Sequence, residues 1–99
     1  MSSTSSEERF RSGLWRGETF MLQREWFGAY RAFLTAAHSA DGDERELARG
    51  LAHAAAAGYR RELGDERGRA RQLAHARRRL APFLPRHGGL DLEELLEGL

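Results

Sequence analysis

Residues 26–63 read WFGAYRAFLTAAHSADGDERELARGLAHAAAAGYRREL. In the first third, Trp26, Ala29, Tyr30, Phe33 and Ala37 recur at spacings of three and four, the mark of a helix with one buried face. In the second half, Leu47, Leu51, Ala54, Gly58 and Tyr59 line one side in the same way. Between them, Ser39-Ala-Asp-Gly-Asp43 breaks the first helix and offers a cap for the next. The stretch therefore predicts two amphipathic helices, over 25–38 and 43–63. Tyr30 and Tyr59 fall on their facing positions, where a catalytic or metal-binding version of the pair would carry histidines. A phenol with an ordinary pKa of about 10 is a poor base at neutral pH.

The run from Gly50 to Gly58 is small on nearly every face. Small side chains let neighbouring backbones approach, so this helix is expected at the centre of the molecule. A core of this kind has little slack.

Working outward, Gly64 stops the 43–63 helix and Asp65 caps a fourth, over 66–83, with Ala70, Leu73, Ala76, Leu80 and Phe83 or Leu84 inward. Pro82 and Pro85 end it, and Pro85–Gly89 reads as a loop. Asp91 with Glu94 caps a last short helix over 92–97, whose Leu92, Leu95 and Leu96 pack back on the rest. On the N-terminal side, Leu14, Phe20 and Met21 suggest a helix over 14–23, weakened by Gly13 and Gly17. Ser5 with Glu8 offers an earlier start, but residues 1–13 are expected to be a flexible tail ahead of a single domain over 14–99. Short loops between long helices imply antiparallel neighbours. The expected fold is all-α: an antiparallel bundle of four main helices plus a short C-terminal one.

Composition supports this. Val, Ile and Asn are absent, and strands favour the β-branched residues that this chain lacks. All 16 basic residues are Arg, which reads first as the codon bias of a GC-rich genome and second as a choice of planar anion binders. The absence of Cys excludes disulfides and thiolate chemistry and points to the cytoplasm. No run of about 18 apolar residues offers a membrane span.

Along Trp26-Phe-Gly-Ala-Tyr-Arg-Ala-Phe33 the chain resembles the signature helix of the Domain of Unknown Function 309 family, small bacterial and archaeal helical proteins. That signature reads aromatic-aromatic-Glu-Ala-His-Glu-x-(Leu/Trp). Further similar segments are Arg49-Gly-Leu51, Glu62-Leu-Gly-Asp65, Arg67-Gly-Arg-Ala70 and Gly89-Leu-Asp-Leu-Glu-Glu-Leu-Leu96, so the resemblance runs from Leu14 to Leu96. It implies a helical bundle and brings no assigned activity. The family's Glu, His and Glu are replaced here by Gly28, Tyr30 and Arg31, and a frequent histidine of its third helix by Tyr59. Most titratable groups of a family site would thus be missing.

The candidate sites are few. Trp26, Tyr30, Arg31 and Tyr59 are the candidate pocket between the second and third helices, weighed against two plain core aromatics. Arg67, Arg71 and Arg78 are the candidate anion binders. They lie in a segment, Arg45 to Arg86, that carries 11 Arg against Glu46, Glu62, Asp65 and Glu66. A solvated helix face is the commoner meaning of such a cluster, and no helix-turn-helix or aromatic-studded nucleic-acid groove is recognisable. His38, His53, His75 and His87 make no ligand set in sequence. His53 and His75 are each expected to face solvent beside arginines, so no metal, cofactor or catalytic constellation is expected. The leading expectation is a non-catalytic binding or self-association module. Its rivals are an enzyme using Tyr30, Arg31 and Tyr59, and a nucleic-acid or acidic-partner binder acting through the Arg-rich fourth helix. Homodimerisation is expected if Trp15, Trp26 or Phe27 lies outside the core, and no membrane partner is expected.

Overall fold

Two aspartates set the register of the C-terminal half. Asp65 accepts a hydrogen bond from the Gly68 amide at 2.9 Å and starts α4 (Glu66–Leu80). Asp91 accepts from the Glu94 amide at 3.0 Å and starts α5 (Leu92–Leu96). Each fills one of the orphan donors of a helix N-terminus. Upstream lie α1 (Ser2–Leu22), α2 (Trp26–His38) and α3 (Gly42–Glu62). The structure, a computed structural model, describes the backbone of residues 2–99 and the side chains from Ser5 onward. The fold is all-α, four long helices and a short fifth, with a 3-10 turn at Ala81–Phe83.

The long helices run antiparallel, and each packs along its length on its neighbour in sequence. Between α1 and α2 the contact is built on glycine. A Cβ on Gly13 would come within 2.8 Å of the Ala36 Cβ, and one on Gly17 would overlap the Phe33 ring. Between α2 and α3 the Trp26 indole lies on Gly58, and its Nε1–H donates to the Glu62 carboxylate. Between α3 and α4, Leu80 closes on Gly50. Helix α3 is the central helix: Ala48, Leu51, Ala54, Ala55 and Ala57 are fully buried between α2 and α4. Phe33, Leu47, Leu51, Leu80 and Leu92 are the largest fully buried side chains, so the short α5 places a leucine in the core of the long helices.

Three expectations are corrected. Residues 2–13, expected in a flexible tail over 1–13, are helical, and Phe10 and Gly13 are buried; residue 1 lies outside the described residues. Phe10, Leu14 and Met21 share one face of α1, and that burial, with the glycine contacts to α2, outweighs the poor helix propensity of Gly13 and Gly17. Ala70 is exposed and Gly68 is buried in its place, because the Asp65 cap folds back on the first turn of α4. The expected Pro85–Gly89 loop contains half of a hairpin. Strand β1 (Arg86–His87) pairs antiparallel with β2 (Leu90–Asp91), and the turn residues Gly88 and Gly89 both have positive φ, at 55° and 83°. Two positive φ values in a two-residue turn are the geometry that glycine permits without strain.

The α2–α3 turn also differs in detail. Asp41 precedes α3 without capping it through its side chain. Arg45 secures the turn instead, donating from Nε to the carbonyls of Ala37 and Ala40 at 3.2 and 2.9 Å.

Candidate functional site

Because α2 and α4 flank α3, and Ala52 and Ala56 of α3 are small, an open groove of about 460 Å³ lies between the flanking helices. Its α2 wall is Trp26, Phe27, Tyr30 and Leu34. Its α4 wall is Gln72 and Arg79, and α3 adds Arg49, His53, Tyr59 and Arg60. No carboxylate is among the residues lining it.

Of the pocket expected from the sequence, Trp26, Tyr30 and Tyr59 are brought together here. Arg31 is not. It lies on the other side of α2, in the α1–α2 groove with Arg9 and Arg16, with its guanidinium 6.0 Å from the Phe27 ring centroid. One step along a helix turns a side chain by about 100°, which is why neighbours in sequence diverge. Tyr30 and Tyr59 are not inner phenols: they are 36% and 44% exposed, and Phe27 is 65% exposed. Gly58 seats Trp26 on the helix and leaves these rings at the rim.

His53 and His75, expected to face solvent separately, are half-buried and stacked at the α3–α4 seam with ring centroids 5.1 Å apart. His53 Nδ1 lies 2.7 Å from Gln72 Oε1, so Nδ1–H donates to the amide oxygen. Arg78 Nη2 lies 2.6 Å from His75 Nδ1; a guanidinium only donates, so His75 is neutral with its proton on Nε2. Desolvation first, and then His53, Arg78, Arg79 and Arg71, hold the His75 pKa below its ordinary value. Antiparallel packing of α3 on α4 brings 53 beside 75; the sequence separation hides it. Among the described residues, no three His, Asp or Glu side chains gather closely enough to hold a metal ion.

The arginines divide into two sets. Arg79 donates to both oxygens of Glu46 at 2.8 and 2.9 Å, Arg60 reaches Asp65 at 3.5 Å, and Arg69 reaches Glu66 at 2.7 Å and the Leu99 carbonyl at 2.8 Å. The hydrogen bonds from Arg69 hold the Glu66 carboxyl below its usual range. Arg67, Arg71 and Arg78 lie on one exposed stripe of α4 and make no ion pair among the described residues; nor does Arg49 at the groove. The candidate anion binders are therefore free of carboxylate partners among the described residues, although Arg78 donates to His75, and Arg71 and Arg78 both help to lower the His75 pKa.

The arrangement suits holding flat apolar groups and negative charge. For bond-breaking it offers little. The groove lining contains no Ser, Thr, Asp or Glu, and His53 is its one histidine. Comparisons with known protein families, with curated proteins and with solved structures give no significant match.

Proposed function

We propose that this is a non-catalytic binding module, acting in the cytoplasm, whose working surface is the α2–α3–α4 groove. The observation that carries it is the juxtaposition of exposed rings, at Phe27, Tyr30 and Tyr59, with cations lining the same groove over an alanine floor. Exposed aromatics that converge on a concavity mark binding surfaces rather than scattered surface residues. We also propose that the chain is a divergent relative of the 309 family. Its motif order supports this, and Gly28 gives the divergence a physical basis: a Cβ there would meet the Phe20 ring at 3.0 Å, so a glutamate at that position needs Phe20 moved.

The test is to fill the floor. Ala56 is half-buried and lines the groove, so Ala56→Trp blocks it while leaving the core intact. The flat aromatic anion 1-anilinonaphthalene-8-sulfonate should bind the wild-type protein saturably and lose most of its fluorescence gain with the variant at unchanged Tm. Equal titrations would remove the groove as the working surface. A catalytic role is the rival, since a cavity does lie beside Tyr30; turnover on a hydrolase substrate panel that Tyr30→Phe abolishes would establish it.

A second surface supports self-association. Trp15 and Leu22 are 66% and 60% exposed on α1, two turns apart on one face and away from the groove. Light scattering should give a dimer mass that Trp15→Ser reduces to a monomer; a wild-type monomer up to millimolar concentration excludes this.

A further inference from the structure

The groove carries both rings and cations. Its rings stand on the α2 wall and at Tyr59; of its cations, Arg79 is held by Glu46 and Arg60 by Asp65, while Arg49 makes no ion pair among the described residues. Neighbouring helix axes are about 8–10 Å apart, and α3 lies between α2 and α4, so the α2 rings and the α4 guanidinium groups stand roughly two such spacings apart with α3 as the floor. The positive charge does not stop at the rim. Arg71 and Arg78 continue it past His75 onto the outer face of α4. A second copy of this chain is a poor occupant, because it would set the unpaired Arg49 and the flanking Arg71 and Arg78 of both copies near each other. A short acidic helix would satisfy the groove and leave the outer arginines unused. A flexible polyanion with flat side groups uses both.

The geometry points to single-stranded nucleic acid as the occupant, its bases stacked on Tyr30, Tyr59 and Phe27 and its phosphates held by Arg49, Arg71 and Arg78. Single-strand binders combine these two elements, stacking platforms and a cationic track, without base-specific contacts. This rests on the groove being the working surface. Helix α4 alone presents a cationic stripe of the kind any solvated helix can carry; the rings brought opposite it by the fold are what favour unpaired bases.

The experiment is fluorescence anisotropy with fluorescein-labelled dT12 and rU12 across a salt series, with a duplex hairpin of equal charge as control. Both single strands should bind at low salt, and the hairpin at least about tenfold more weakly. Tyr59→Ala and Tyr30→Ala should each weaken binding roughly 5- to 150-fold, the equivalent of about 1–3 kcal/mol per stacked base. Arg49→Gln and Arg78→Gln should each flatten the log–log salt slope by about 0.7. Both tyrosines are exposed, so an unchanged Tm separates lost contacts from lost fold. Equal affinity for hairpin and single strand, with tyrosine variants at wild-type strength, would overturn the inference and leave a plain polycation. Binding of a Glu- and Leu-rich helical peptide that Ala56→Trp blocks, with no dT12 binding, would also overturn it while the groove remains the binding surface. If dT12, peptide and anilinonaphthalene sulfonate are all indifferent to Ala56→Trp, the groove itself fails.

Discussion

Gly58 and Trp26 meet as a pair that neither residue announces alone. Alanine is the better helix former by about 1 kcal/mol, so an isolated helix would gain from Gly58→Ala. Here a Cβ would overlap the indole that Gly58 admits. We expect Gly58→Ala to destabilise by about 1–3 kcal/mol in urea unfolding, and to become neutral or stabilising in a Trp26→Leu background. A higher Tm for Gly58→Ala alone would mean that the indole does not rest there. His75 gives a pH-dependent counterpart. Its folded pKa is depressed from 6.5 by desolvation first, then by His53, Arg78, Arg79 and Arg71. The unfolded chain therefore takes up that proton first. The contribution is intact above about 6.5 and fades as pH falls below it. Glu66 also has a depressed folded pKa, but its contribution fades only below its ordinary value of 4.5, so the two windows separate. The Tm should drop between pH 7.5 and 5.5, and His75→Gln should shrink that drop. An identical drop in the variant would assign the loss to other groups.

Among the elements, α3 was the most legible and α1 the least. The period of Leu47, Leu51, Ala54 and Gly58 fixes one face, and the alanine run between them allows a second. Both faces are used, against α2 and α4. Ala54 is fully buried, so Ala54→Leu should overpack the centre and cost about 1–3 kcal/mol by thermal or urea unfolding; an unshifted transition would place that face outside the core. For α1, helix propensity misleads. Gly13 and Gly17 read as breakers in isolation, whereas the fold uses them as the sites where α2 comes closest. The same holds in miniature at Arg45. In sequence it is one arginine of a cationic segment; in the fold it closes the end of α2 by donating to the carbonyls of Ala37, in its last turn, and Ala40, just beyond it.

At the scale of the molecule, α5 has an influence out of proportion to its five residues. Sequential packing of α1 on α2, α2 on α3 and α3 on α4 leaves one side of the array to be covered, and Leu92, Leu95 and Leu96 help to cover it. Leu92 is fully buried, so Leu92→Ala should cost about 2–5 kcal/mol. An exposed surface helix would lose a few tenths, and such a value would detach α5 from the core. The molecule measures 45 × 24 × 19 Å, with the groove over α3 bounded by the walls that α2 and α4 supply.

Helix identity, order and most boundaries follow from the sequence, because period, caps and breakers act over a few residues and are written locally. The groove is different in kind. It joins Tyr30, Tyr59 and Arg79 from three helices, sets His53 on His75, and sends Arg31 elsewhere despite its place beside Tyr30. Those outcomes depend on the rotation of each helix about its axis, and that rotation goes with the close glycine contacts between helices, to Ala36, Phe33, Trp26 and Leu80, which only the packed structure contains.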